Sequence, residues 1–275
     1  MITFGRYTIE CVNFGFFRLD GGAMFGSVPK NLWSKRIPAD EENCIKLATR
    51  CMLIRDGKRC ILTDTGMGDK WAEKQRQIFA IQNLNPAFDR ESVTDVILTH
   101  LHFDHAGGIS QFSNGNPDKL ELSYPRAKVF LQEANWKNAQ SPNVREKASY
   151  LPENVEPLKS ADLVLVRGSS EIYPDLWVHQ VDGHTEGQQW IEIKDGNRSI
   201  VYPTDLIPTS HHLPLPFVMG YDICAKTILT EKAAFLNEAL AHESIIVFEH
   251  DPEIAAGKIK KDEKGHYTLA TQISV

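Results

Sequence analysis

An α/β (α+β) fold arranged as an αββα sandwich, two sheets facing each other between outer helices, is predicted by three observations. Hairpin patterns of the same layout occur in both halves, helical stretches follow them, and 275 residues, 42% of them hydrophobic, run without a composition break or linker. A chain of this size and makeup can bury one core, so residues 1–275 read as a single domain. Residues 45–54 and 59–62 read as strands flanking Arg55-Asp-Gly-Lys58, whose Asp-Gly pair favours a type I′ hairpin turn. A helix is expected near residues 69–82. The apolar segment 93–98 reads as a strand, as does 128–131, with a helix following over 132–139. The second hairpin joins residues 190–194 to 198–202 through Asp195-Gly-Asn197. Each hairpin's second strand runs into an aspartate-bearing loop, Thr63-Asp64-Thr-Gly66 or Pro203-Thr-Asp205, a weak sign of two related halves. Residues 225–242 place Ile228, Leu229, Ala233, Leu236 and Leu240 at helical spacing, and 244–248 form a last strand.

The run Thr99-His-Leu-His-Phe-Asp-His-Ala-Gly-Gly108 carries the chemistry. His100, His102, Asp104 and His105 supply imidazole and carboxylate donors, which suit zinc, iron or manganese, and the run has no thiolate to mark a closed structural zinc site. An open, catalytic metal site is expected. In an extended segment His100 and His102 point to one side, while Gly107-Gly108 indicates that the chain turns, so the donors are expected on a loop at a strand's end.

His-x-His-x-Asp-His after a buried strand and before Gly-Gly resembles the signature of the metallo-β-lactamase-fold hydrolases. That resemblance implies three further ligands, and the sequence offers them in order: His184 in Val181-Asp-Gly-His-Thr-Glu-Gly187, Asp205, and His250 in Val247-Phe-Glu-His-Asp251. By the family's pattern, two divalent transition-metal ions are implied, zinc first with iron or manganese as alternatives. One would lie between His100, His102 and His184, the other between Asp104, His105 and His250, with Asp205 bridging. The resemblance also implies the αββα sandwich, a site in the cleft at one edge of the sheets, Asp64 beneath the metals as partner of a ligand histidine, and a hydrolytic reaction in which Asp104 is both ligand and catalytic acid/base. Two adjacent cations share and activate a water, so no protein nucleophile is required. Neither Gly-x-Ser-x-Gly nor Ser-x-x-Lys occurs to suggest one.

The layout is most similar to the branch holding N-acyl-homoserine lactone lactonases and methyl-parathion-type hydrolases, which implies cleavage of an uncharged lactone, aryl ester or phosphotriester. The sequence departs from those lactonases at Pro208, where they carry a tyrosine that stabilises the oxyanion; His211, His212 and Tyr221 are candidate replacements. Candidate substrate walls are the glycine-rich aromatic stretch around Phe25, read as a mobile lid, the segment from Pro208 to Phe217, and Phe103 between the ligands. Two alternatives share the fold: a mononuclear-iron persulfide dioxygenase using His100, His102, His184 and Asp205, and a glyoxalase II-like thiolesterase.

Net charge of −6 and a pI near 5.9 argue against a nucleic-acid partner. The mixed-sign run Lys258-Ile-Lys-Lys-Asp-Glu-Lys264 reads as a solvated hairpin tip. With no long apolar window and no leader-like N-terminus, a cytoplasmic protein without membrane contact is expected, acting on a small molecule, with a homodimer left open. Five cysteines without Cys-x-x-Cys spacing fit a reducing compartment and buried free thiols.

Overall fold

The two hairpins become the centres of two sheets, and the sheets divide the chain in sequence. In the computed structural model, which describes residues 1–113, 116 and 119–275, the first sheet draws its eight strands from the N-terminal part and the second its seven from the remainder. The first runs in the order Ile2–Phe4, Tyr7–Asp20, Cys44–Arg55, Cys60–Thr63, Asp95–Ile97, Lys128–Gln132 and Asp162–Val166, with Gln82–Asn83 paired beside Tyr7–Asp20. The second follows chain order: Ser170–Tyr173, Leu176–Val181, Gln188–Asp195, Arg198–Tyr202, Ile245–Val247, Ala256–Lys261 and Tyr267–Ile273.

Alternation along each strand decides what lies between the sheets. Ile9, Met52, Ile54, Ile61 and Ile97 face Val178, Ile191, Ile193, Ile200 and Val247 across the sandwich. The intervening residues Leu53, Leu62, Val96 and Val129 face outward and are covered by Tyr150, Val155 and Leu158. On the far side Val201, Ile246 and Phe248 pack on Ile228, Phe235, Leu236 and Ala239 of helix Ala225–Ala241. Burial on both faces explains why Val96-Ile97-Leu98 is a continuous apolar run rather than an alternating one. The result is the αββα sandwich.

The two halves correspond in topology. Cys60–Thr63 pairs in parallel with Asp95–Ile97, which leads to His100; Arg198–Tyr202 pairs in parallel with Ile245–Val247, which leads to His250. Parallel pairing sends both strands of each pair to the same edge, and the candidate ligand residues gather there.

Several local expectations change. The first turn is not type I′, because Arg55 pairs with Cys60 and the four residues between are organised by Asp56, whose carboxylate accepts from the backbone N–H of Lys58 and Arg59; only Gly57 has positive φ, at 82°. In the second hairpin Asp195 pairs with Arg198, so the loop is Gly196-Asn197, with φ of 60° at Gly196 as a type II′ turn requires. The helix expected over 69–82 is confined to Glu73–Ile78, since Gln82 is taken by a strand. In helix Ala225–Ala241 the buried stripe is Ile228, Lys232, Phe235, Leu236 and Ala239, and Leu229 faces out at 40% exposure. Lys258 and Lys260 lie in the strand Ala256–Lys261 and only the following residues form the tip. No helix among the described residues is long and apolar enough to cross a membrane.

The five cysteines are free, but only Cys51 and Cys60 are buried, and Cys224 is exposed. The Thr227 hydroxyl hydrogen-bonded to its sulfur and the neighbouring helix-start N–H groups hold the Cys224 thiol below its ordinary pKa, whereas burial pushes Cys51 well up. Limited alkylation of the native protein is therefore expected to label Cys224 first and Cys51 only after denaturation, as read by peptide mass spectrometry. Ile193→Ala, at the centre of the sandwich, is expected to cost about 2–5 kcal/mol in chemical denaturation, against about 0.5 kcal/mol or less for Lys261→Ala on the exposed strand end.

Candidate metal centre

The ligand run is half loop and half helix. His100 and His102 follow strand Asp95–Ile97 in extended chain, their rings 4.5 Å apart between centroids, while Asp104 and His105 sit on the one-turn helix Phe103–Ala106. The helical turn carries this second pair away from the first. Gly107 has ordinary helical dihedrals (φ −60°, ψ −35°), so the Gly-Gly pair is not there for a special turn. It permits close approach: a Cβ on Gly107 would meet the Met67 carbonyl oxygen at 2.1 Å, and one on Gly108 the Thr65 carbonyl oxygen at 2.3 Å. The loop carrying Asp64 can then pack directly beneath the ligands.

His184 arrives from the loop after Leu176–Val181, Asp205 from the turn after Arg198–Tyr202, and His250 from the loop after Ile245–Val247. The donors form two groups, His100, His102, His184 and Asp205, and Asp104, His105 and His250, with the ligand atoms within each group no more than 4.8 Å apart. Asp205 touches both. Its Oδ2 lies 3.0 Å from His184 Nε2, 3.3 Å from His105 Nε2 and 3.6 Å from His100 Nε2, and its Oδ1 lies 3.1 Å from His250 Nε2. Asp104 stands 3.8 Å from His105 Nε2 and 3.7 Å from His250 Nε2.

These residues fit divalent transition-metal ions. His100 Nε2 and Asp205 Oδ1 are buried without a hydrogen-bond partner, a costly arrangement for polar atoms unless a cation engages them. Burial disfavours charge on the imidazoles, yet the Asp205 carboxylate overrides it and raises His184 to about 10 and His250 to about 9. That field is attractive to any cation.

The opposite ring nitrogens are held from outside. His184 Nδ1 meets Asp222 at 3.0 Å, His250 Nδ1 meets the Ala48 carbonyl at 2.8 Å, and His100 Nδ1 meets the Thr99 hydroxyl at 3.2 Å. His105 Nδ1 has two carboxylates, Asp64 at 3.3 Å and Glu249 at 3.2 Å. Fixing Nδ1 selects the tautomer that turns Nε2 inward. His102 is reversed: its Nδ1 lies 3.2 Å from His184 Nε2, and its Nε2 points toward Glu146, 3.9 Å away. Asp64 is locked by Thr99, which donates to it from backbone N–H and hydroxyl, both at 2.8 Å. Sequence reasoning missed Glu146, Asp222 and Glu249. Only Glu249 had a local signal, its place beside His250.

A cavity of about 300 Å³ opens over the ligands, and His102, Asp104, His184, Asp205 and His250 form its floor. Leu19, Met24, Leu47, Phe79, Phe103 and Met219 make its apolar wall, and Arg145, Glu146 and Tyr221 its polar part. Of the expected substrate-contacting residues, Phe103 and Tyr221 line this cavity. Phe25, His211, His212 and Phe217 do not line the cavity. Phe25 is fully buried, stacked 5.4 Å from Trp33 and 4.4 Å from His212, and Phe217 packs edge-on against it at 6.1 Å. His212 Nε2 also meets the Met24 carbonyl at 2.8 Å, so this cluster braces Met24 from behind. The glycine-rich stretch is accordingly a packed wall rather than a lid: a Cβ on Gly21 would meet the Trp33 ring at 2.4 Å. His211 is half-buried beside this cluster. Pro208 is buried, and its carbonyl accepts from His250 N–H at 2.9 Å.

Removing an outer partner is expected to act on one group of donors only. Asp222→Ala should weaken metal retention at the group containing His184 about 10–100-fold and leave the group of Asp104, His105 and His250 nearly unchanged, as read by chelator-competition titration.

Comparison with known proteins places this arrangement. The family model for the metallo-beta-lactamase superfamily matches residues 45–250. The N-acyl homoserine lactonase of Bacillus cereus is 25% identical over 238 residues, covering 78% of this chain and 86% of its own. A probable metal-dependent hydrolase from Staphylococcus aureus superposes with a TM-score of 0.87 at 28% identity, over 99% of this chain and 100% of that one. AidC, a dizinc quorum-quenching lactonase solved with its product N-hexanoyl-L-homoserine, superposes with a TM-score of 0.79 at 20% identity over 100% and 97% of the two chains. With the ligand run, the sandwich and the family match in agreement, the chain belongs to the metallo-beta-lactamase superfamily.

Proposed function

We propose that this metal-dependent hydrolase opens lactone rings at a dinuclear, zinc-type centre. The observation that carries the reading is Asp205, one carboxylate whose two oxygens reach into two complete groups of buried donors at the floor of an apolar-walled cavity. The similar proteins named for a substrate are N-acyl homoserine lactonases, which favours a lactone over an aryl ester or phosphotriester. The second group of donors, Asp104, His105 and His250, supports two ions over the mononuclear alternative.

His100, His102 and His184 would hold one ion and Asp104, His105 and His250 the other, with Asp205 between them. Bound there, such ions supply Lewis-acid chemistry, polarising the carbonyl under attack and lowering the pKa of the attacking water. Asp104 has one face against His105 and His250 and another on the cavity, so its carboxylate can accept a proton from the attacking water and return it to the departing alkoxide. Tyr221 also lines the cavity, and its hydroxyl, a donor at neutral pH, can hydrogen-bond the developing oxyanion. Pro208 brings no hydroxyl to this task. Phe103, set edge-on to Trp71 at 5.3 Å and tilted against Phe79 at 5.4 Å, offers a fixed aromatic surface to an acyl chain.

Purified protein loaded with zinc, manganese or iron should open N-acyl homoserine lactones, with kcat/KM rising up to a few-fold per added carbon until the cavity is full. Ring opening followed by proton release checks this against aryl esters, phosphotriesters and glutathione persulfide. A flat chain-length response, or oxygen uptake with the persulfide as the main activity, contradicts the reading. Asp205→Ala should abolish turnover, Tyr221→Phe should cost less than loss of any ligand, and Phe103→Ala should flatten the chain-length response.

A further inference from the structure

We infer that Arg145 determines specificity by binding an acceptor oxygen, an amide carbonyl or a carboxylate, that the substrate carries outside its scissile group. The inference rests on the hydrolase reading above and adds a requirement to it. Arg145 lines the cavity, and its guanidinium donates to the carbonyl oxygen of Gly220. Gly220 is itself anchored, its N–H donating to the Ala23 carbonyl at 2.7 Å. The base of the arginine is also fixed, since the Asn143 side chain accepts from the Arg145 N–H at 2.9 Å. The fork is therefore held in place across the mouth.

Its charge has no acidic partner among the described residues. Glu146, next in sequence, is committed elsewhere: Asn138, Asn143 and Thr185 donate to its carboxylate at 2.9, 2.7 and 2.7 Å, and its other neighbour is His102. A guanidinium carries five N–H donors, and the single bond to Gly220 leaves most of them facing cavity and solvent. Apart from Glu146, Ser149 and Tyr221, the wall around it is apolar. Arg145 is exposed at the mouth, so a substrate offering only hydrocarbon leaves those donors to water and gains nothing from them. A substrate with a suitably placed oxygen replaces that water. Sites built to hydrogen-bond a substrate group reject analogues lacking it more strongly than apolar pockets reject a missing methylene. The cavity thus selects for an acceptor oxygen as well as for an apolar chain.

The test compares metal-loaded parent, R145M and R145K proteins on an acylamido lactone, on an alkyl lactone of equal length without the amide, and on aryl esters with and without a terminal carboxylate. R145M is expected to lower kcat/KM about tenfold, mainly through KM, on substrates carrying the acceptor, and to change the plain alkyl lactone about twofold or less. R145K should restore part of the loss, and whether the amide or the carboxylate series responds identifies the oxygen. An equal loss on all substrates, or a loss in kcat with KM unchanged, overturns the assignment. Equilibrium binding of an N-acyl amino acid, measured by calorimetry on parent and R145M, provides a readout independent of turnover: a Kd raised about tenfold in R145M supports the assignment, and an unchanged Kd overturns it. Absence of lactone hydrolysis by the parent would count against the lactonase reading, and the binding comparison would still decide the role of Arg145.

Discussion

Everything at the centre depends on the Asp205 carboxylate, which stands within 3.6 Å of four imidazoles, those of His100, His105, His184 and His250. Burial and mutual repulsion would keep such a cluster of imidazoles neutral and apart; His100, fully buried, is held well below its usual pKa by burial and by its histidine neighbours. The carboxylate offsets that repulsion, and the imidazoles in turn hold Asp205 ionised despite its burial. One negative group thus makes a site that welcomes cations on two sides.

Bringing Asp205 and His250 to that point requires the two sheets to be locked in register at their shared edge. Arg50, on strand Cys44–Arg55 of the first sheet, is buried and donates to the carbonyls of Phe248 and Asp251, while its N–H donates to the Glu249 carbonyl at 3.1 Å. Tyr202 of the second sheet returns a hydrogen bond to the Arg50 carbonyl at 2.6 Å. Asp251 accepts from the N–H and hydroxyl of Ser210 at 3.0 and 2.6 Å, tying the loop after His250 to the loop after Asp205. Two of the six described non-glycine residues with positive φ lie in the loops at this edge. Thr204, next to Asp205, has φ of 49° and Asp64 has φ of 52°, values that side-chain-bearing residues rarely adopt. The two strained positions lie in equivalent loops of the two halves, so the internal correspondence extends from topology to the turn that aims each aspartate.

Much of this was legible in the sequence because ligand chemistry is local and dense. Four donors in the run from His100 to His105 announce a metal site, and the family resemblance that the run carries implies His184, Asp205 and His250 as its remaining members. The sandwich followed from strands whose burial on one or both faces leaves a plain pattern. What could not be read were residues whose role exists only in three dimensions. Asp222 is 38 residues from the His184 it orients, and Glu146 reaches His102 from a loop with no motif of its own. Gly107-Gly108 was read as a turn because glycine serves both conformational freedom and close approach, and sequence does not separate the two. Phe25 and His212 were placed in the cavity because aromatic residues near a site look alike whether they form a wall or support one.

Anomalous diffraction from crystals of the zinc-loaded protein, measured on both sides of the zinc absorption edge, tests the central claim most directly. The account predicts two peaks about 3.5–4 Å apart, with Asp205 ligating both. A single peak among His100, His102, His184 and Asp205, with Asp104, His105 and His250 bonded only to protein, would contradict it.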